Sequence, residues 1–184
     1  MRCLLVMAAL LALLPVSAEP LVFQSLDGTR HAVFAGEDSK AAVLVFIDTE
    51  CPIANAYHPE LRRLEKEFGR KGVRFFLIHA DGGLDPERAR KHAAEFDVTA
   101  LVVIDKGQAW VKKTGASVTP EAVVITPDGK TVYQGRIDDR YADYGKKRPE
   151  PKQRDLREAL EAVLAGKAVA RPRTDAVGCL IFVE

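Results

Sequence analysis

The sequence predicts one α/β domain, a three-layer α/β/α sandwich around a mixed central sheet. Three observations carry that prediction. The runs "AAVLVFI" (41–47) and "VRFFLIHA" (73–80) are continuously apolar and rich in β-branched and aromatic residues, as strands buried on both faces are. A segment of helical periodicity follows each of them, giving strand-helix-strand units. Later, "AVVITPDGKTVYQGRI" (122–137) reads as a hairpin turning at Asp128-Gly129, which adds antiparallel strands.

The elements follow in order. Residues 1–18, "MRCLLVMAALLALLPVSA", carry one early positive charge at Arg2, an apolar block and a Val16-Ser17-Ala18 ending, which together read as a secretory signal peptide. The apolar block is shorter than the roughly 20 residues a membrane span requires. Export to a periplasmic or secreted location is therefore expected, with no stable membrane span once the signal is cleaved. Residues 19–166 form the domain. It opens with two short strands around Asp27-Gly28, within 21–35. After the first core strand, Tyr57, Leu61, Leu64 and Phe68 recur at helical spacing, and that helix ends near Gly69 to Gly72. Asp85-Pro86 supplies a cap and first-turn proline for a second helix over 85–96. "ALVVID" is a third strand, "QAWVKKTG" a short helix, and Leu156, Leu160, Val163 and Leu164 share one face of a last helix near 153–165. Two pieces exceed this minimal core: a polar insertion at 138–152, "DDRYADYGKKRPEPK", and a C-terminal tail at 167–184 with the apolar ending "AVGCLIFVE".

Composition narrows the functional classes. Lys and Arg total 27 against 26 Asp and Glu, so loss of Arg2 with the signal leaves the charges balanced. Such a chain is not built for nucleic acid or for an anionic membrane surface. Of three cysteines, Cys3 lies in the signal, leaving Cys51 and Cys179. Two thiols are too few for a disulfide scaffold, and in an oxidising compartment pairing, a partner protein or a metal must be considered for both.

Cys51 stands where a parallel α/β sheet forms its sites, between the carboxyl end of the first core strand and a helix whose first turn holds Pro52. Unpaired N–H groups and the dipole at that helix start favour the thiolate. Glu50 beside it opposes this by like charge, so moderate activation is expected.

With the strand leading to Cys51-Pro52, the element order, and Val118-Thr119-Pro120 ahead of a strand, the chain resembles the thioredoxin-like superfamily. More narrowly, over about residues 21–165, it resembles exported redoxins related to the alkyl hydroperoxide reductase and thiol-specific antioxidant group. The "GRIDDRY" segment, Gly135 to Tyr141, and Gly178-Cys179 are similar to parts of some exported redoxin-domain proteins. The resemblance implies a thioredoxin-like fold, a cis Thr119-Pro120 bond packed against Cys51, and a thiol-dependent oxidoreductase without a cofactor. No familiar site pattern is intact: Ala54 stands where Cys-X-X-Cys has its second cysteine, Thr49 is out of peroxiredoxin register, and Asn55 replaces the second cysteine of copper-chaperone relatives.

These readings give Cys51 as the nucleophilic thiol, Cys179 as its resolving partner, and Pro52, Thr119 and Pro120 as the substrate groove. The substrate is a protein or small-molecule disulfide or thiol, with an electron donor that the sequence does not name. Two alternatives stand beside this. Cys51–Cys179 is a static structural disulfide, or the fold binds copper or a partner without turnover through Cys51, Cys179 and His79. His58 is read as surface or partly exposed, and His31 and His92 have no motif around them. The insertion is either a solvated charged loop or a lid in which Arg136, Asp138, Asp139 and Arg140 fix the tail or offer a docking surface.

Overall fold

The computed structural model describes residues 21–36 and 38–183; the signal read over 1–18 lies outside the described residues. The chain opens with an antiparallel hairpin, β1 (Val22–Gln24) and β2 (Arg30–Ala32). Then come β3 (Ala41–Ile47), α1 (Pro52–Gly69), β4 (Val73–His79), α2 (Pro86–Glu95) and β5 (Leu101–Ile104). A 3-10 turn over Lys106–Gln108 runs into α3 (Ala109–Thr114), followed by β6 (Val118–Thr119), β7 (Glu121–Ile125) and β8 (Thr131–Gly135). The insertion folds as a small hairpin, β9 (Tyr141–Asp143) and β10 (Lys146–Lys147), before α4 (Asp155–Leu164), and the tail ends in β11 (Cys179–Leu180).

The five-stranded sheet has the order β5-β4-β3-β7-β8. β3, β4 and β5 run parallel, whereas β7 is antiparallel to both β3 and β8, so the sheet is mixed as predicted. All seven β3 residues are buried, which explains its unbroken apolar run: strand neighbours stand on both sides and packed layers on both faces. Alternate residues divide between two cores. Val43, Val45 and Ile47 face α1 and α4, together with Leu61, Leu64, Phe68, Leu156 and Leu160. Ala42, Leu44 and Phe46 face the other way, with Phe23, Val33 and Val111. That second outer layer is thin, made from the β1–β2 hairpin and short α3.

Helix boundaries follow local chemistry. Asp85 caps α2 by accepting from the Glu87 and Arg88 N–H groups at 2.9 and 3.1 Å. α1 contains Pro59, which removes one backbone bond and ordinarily costs about 3 kcal/mol in a helix interior. Burial of Tyr57, Leu61, Leu64 and Phe68, each worth roughly 1.5 to 3 kcal/mol, offsets that cost.

The tail is tied to the domain in two places. Its first anchor extends the sheet at β8: Gln134 N–H donates to the Pro172 carbonyl at 2.9 Å, and Thr174 N–H donates to the Gln134 carbonyl at 3.1 Å. Gly135 permits this approach. It has φ of 148°, and a Cβ there would stand 2.2 Å from the Thr174 carbonyl oxygen. The second anchor is β11, which pairs antiparallel with β6.

Candidate functional site

The β3–α1 edge holds Cys51 as the cap of α1. Its sulfur accepts from the Ala54 N–H at 3.4 Å and donates to the Thr119 carbonyl at 2.9 Å. Pro52 occupies the first turn of α1, exposed, where its missing N–H costs nothing. Thr119 and Pro120 are buried opposite, and the Thr119-Pro120 bond is cis, as the resemblance implies.

Across β6, Cys179 is the register partner of Thr119, and Leu180 that of Val118. The tail strand therefore brings the second cysteine to the first. Both are free thiols, and Cys179 is paired with the residue whose carbonyl the Cys51 sulfur meets at 2.9 Å. Gly178 makes the approach sterically feasible: a Cβ there would lie 2.0 Å from the Thr119 carbonyl oxygen. Ile181 N–H donates to the Ser117 carbonyl at 2.9 Å, and the Gln108 amide donates to the Phe182 carbonyl at 2.8 Å, extending the attachment beyond β11.

The two thiols are electrostatically unequal. Burial alone pushes the Cys51 thiol up, but hydrogen bonds from Cys179, Thr119 and the Ala54 N–H outweigh it and hold Cys51 below the ordinary cysteine value. For Cys179, burial and then the bond to Cys51 push the thiol up, with Tyr144 acting against them. The expected opposition from Glu50 is weak, since its side chain is 80% exposed and paired with Arg88 at 3.0 Å. Accessibility runs the other way from activation. Cys51 is only 1% exposed, with Cys179 and β11 beside it, whereas Cys179 is partly exposed.

The insertion is anchored at its base, while residues 142–147 are exposed as a solvated loop would be. Asp138 and Asp139 are buried. Tyr57 of α1 donates its hydroxyl to Asp138 at 2.6 Å, and the Asp139 carboxylate accepts from the Lys152 and Gln153 N–H groups. Arg136 pairs with Asp155 at 2.8 Å, and its N–H donates to the Thr174 hydroxyl at 3.1 Å. Arg140 lies 3.7 Å from Asp138, its guanidinium 5.8 Å from the Tyr57 ring centre. Of the lid residues, Arg136 holds the tail directly, while Asp138, Asp139 and Arg140 fix the insertion to α1 and to its own ends. Tyr144, at the hairpin tip, is exposed, its N–H held by the Asp143 carboxylate at 2.8 Å.

His79 is at the carboxyl end of β4, as expected, but the structure groups it with His92 and His58 rather than with the cysteines. Ring centres lie 5.5 Å apart for His79–His92 and 5.2 Å for His58–His92. His58 is 3% exposed, which corrects the surface reading: α1 is covered by the sheet on one flank and by α2 on the next. Among the described residues neither His79 nitrogen nor His58 Nε2 has a hydrogen-bond partner, while His92 Nε2 meets Asn55 Oδ1 at 2.8 Å. Desolvation and mutual repulsion lower His58 to about 4 and His79 to about 3. Among the described residues no group of three His, Cys, Asp or Glu side chains is arranged to hold a metal ion, so the Cys51, His79 and Cys179 set is not assembled.

A capping cysteine at a strand-to-helix edge, facing a cis-proline across the open side of a mixed sheet, defines the class of thiol proteins with a thioredoxin-like fold. Residues 18–147 match the Redoxin family, and the chain belongs to it. Similar solved structures include a hypothetical protein from Sinorhizobium meliloti, 24% identical over 89% of this chain and 91% of that one, with a TM-score of 0.76. An uncharacterized conserved protein from Geobacillus kaustophilus is 28% identical, covering 91% and 90%, with a TM-score of 0.74. A secreted disulfide oxidoreductase from Mycobacterium tuberculosis shares the fold at 16% identity, over 80% and 96%, with a TM-score of 0.54. No curated protein matches the chain.

Proposed function

We propose that this protein is an exported thiol-disulfide oxidoreductase of the periplasm or the secreted fraction, with Cys51 as attacking thiol and Cys179 as its resolving partner. The observation that carries this reading is the β6–β11 pairing, which sets the sulfur of Cys179 against an activated Cys51 beside a cis-proline. The Cys51 thiolate attacks one sulfur of a substrate disulfide. That S–S bond breaks, one substrate sulfur leaves as thiolate, and a mixed disulfide forms on Cys51. The Cys179 thiolate then attacks the Cys51 sulfur, expels the second substrate thiolate and closes Cys51–Cys179. An external dithiol reverses this to restore both thiols. Pro52, Thr119 and Pro120 line the groove in which the substrate sulfur is received. Because Cys51 is buried, the first step requires β11 to leave β6. The substrate is a protein or small-molecule disulfide; nothing in the charge balance suits nucleic acid.

Reduction of an aromatic disulfide, followed by its coloured thiolate, tests the assignment. Cys51→Ser is expected to lose activity by about a hundredfold or more, because the nucleophile is gone. Cys179→Ser should accumulate a mixed disulfide on Cys51. Full activity in Cys51→Ser overturns the reading. A static staple closing a loop of about 130 residues would contribute roughly 4 to 5 kcal/mol to stability. The reduction potential of the pair separates it from a working disulfide: a value below about −300 mV supports the staple.

A further inference from the structure

We propose that Glu121 is a positioning residue of this site: its carboxylate is the shared acceptor that ties both anchors of the tail to the cis-proline segment, and so fixes the register that sets Cys179 opposite Thr119. This rests on Cys179 being the resolving thiol and names the group that holds it in place. Glu121 opens β7 directly after the cis Thr119-Pro120 bond and is buried, as is Gln134 of the neighbouring β8. One carboxylate oxygen accepts from the Ser117 N–H at 2.9 Å and the other from the Gln134 side-chain amide at 2.8 Å.

Each donor belongs to a segment that holds the tail. The Ser117 carbonyl accepts the Ile181 N–H at 2.9 Å, next to β11, while the Gln134 backbone bonds to Pro172 and Thr174. The Gln134 side chain also reaches the tail, its oxygen accepting from the Arg173 guanidinium at 3.2 Å. The bonds therefore have a direction: Arg173 donates to Gln134, Gln134 donates to Glu121, and Ser117 donates to Glu121 from the other side. A carboxylate, which offers acceptors only, is the group that can end such a chain. Because the group is buried, a donor left facing it without an acceptor is penalised in full.

Register is the property at stake. β11 contributes only Cys179 and Leu180 to the pairing with β6. Successive side chains of a strand point to opposite faces, so a slip of one residue would put Gly178 or Leu180 opposite Thr119 and turn Cys179 away from Cys51. So short a pairing does not resist such a slip by itself. Glu121 resists it from both ends: through Gln134 it fixes where the tail sets out toward the site, and through Ser117 it fixes the carbonyl that Ile181 must meet. Resolution of the mixed disulfide needs the Cys179 sulfur in line with that of Cys51, whereas attack on substrate needs β11 away. Loosening the tail therefore acts on the two steps in opposite directions.

The test uses the two phases of thiolate release from the aromatic disulfide, the first from attack by Cys51 and the second from resolution by Cys179. Glu121→Gln sets an amide N–H against one of the two donors, and turning the Gln134 amide to meet it sets that amide against Arg173. The first phase is expected to be about tenfold faster and the second about tenfold slower, the scale of one lost hydrogen bond to a charged group. Adding Gln134→Glu moves the acceptor-only group one step along the chain, so that Arg173, Ser117 and both side chains are satisfied again, and both phases return to within about twofold of the unmodified protein. Arg173→Ala, which releases only the exposed end, should shift both phases the same way by about threefold. Unchanged phases in Glu121→Gln and Arg173→Ala, or a double variant as altered as Glu121→Gln alone, overturn the proposal. Should Glu121→Gln fail to fold, a folded double variant with normal phases supports the proposal, and one that also fails to fold overturns it. Iodoacetamide labelling of Cys51, read on its own peptide, follows the tail without turnover. A rise of about tenfold in Glu121→Gln that the double variant reverses supports the positioning role even where no disulfide is reduced, and absent reduction is what overturns the oxidoreductase reading.

Discussion

Gly178 occupies a position where a methyl group has no room, 2.0 Å from the Thr119 carbonyl oxygen by the ideal Cβ position. The obstacle is backbone, which cannot rotate aside as a side chain could. Gly178→Ala is therefore expected to push β11 away from β6 and to destabilise the protein by about 1 to 3 kcal/mol, the usual scale of overpacking. With β11 displaced, Cys51 should react with iodoacetamide about tenfold faster than in the unmodified protein, since its reactivity is limited by access rather than by thiolate content. An unchanged alkylation rate would show that the tail strand does not cover Cys51. Cys51 itself shows why a residue type is not a site: the same thiol lacking the Ala54 N–H, the Thr119 side chain and Cys179 would sit at an ordinary or raised value, because burial alone acts against the thiolate.

α1, β4 and α2 contribute one histidine each to a buried group, and this gives those three elements a shared dependence on pH. His58, His79 and His92 all titrate below their ordinary value in the fold, chiefly through desolvation; the carboxylates of Glu95 and Asp48 partly oppose the shift at His92, and Arg62 adds to it at His58. The unfolded chain protonates them near 6.5, whereas the folded chain holds them neutral. Their contribution is thus complete above about pH 6.5 and is lost as pH falls from there toward the folded values, about 4 for His58 and about 3 for His79. Urea denaturation at pH 7 and pH 5 should show this loss, at up to roughly 1.4 kcal/mol per pH unit for each histidine. His79→Leu, which replaces two unpaired buried nitrogens with apolar volume, should flatten the slope by about one proton. An equal slope in that variant would mean that His79 is protonated in the folded state or accessible to water.

At the scale of the whole molecule, the tail is both cover and reactant. A chain ending at Val177 keeps the five-stranded sheet and the β8 anchor but loses β11 and Cys179. It is expected to stay folded by circular dichroism, to alkylate at Cys51 at least about tenfold faster, and to stall as a mixed disulfide with the aromatic probe. Slow alkylation in the truncated chain would place the barrier to Cys51 in the groove itself.

The architecture was legible because its signals are local. β3 and β4 are apolar throughout because they are buried on both faces, and Asp85-Pro86 and Asp128-Gly129 punctuate the chain through their own backbone preferences. From the same kind of evidence Cys51 was placed at a strand-to-helix edge, and Pro120 by its resemblance to a known pattern. Other features depended on which surfaces meet. His58 reads as surface or partly exposed because its helical position lies beside the core face, and only the packing of α2 buries it. Asp138 and Asp139 resemble a solvated charge run until Tyr57 and the Lys152–Gln153 backbone supply their partners. The sequence by itself determined the strands, helices and an activated thiol, since these follow from periodicity, capping and turn chemistry within a few neighbouring residues. Only the tertiary structure decided that β11 lies on β6 with Cys179 opposite Thr119, and that the tail meets β8 beside Gly135. Those contacts join residues far apart in the chain, and their geometry is set by backbone pairing and close approach at Gly135 and Gly178, which no local pattern encodes.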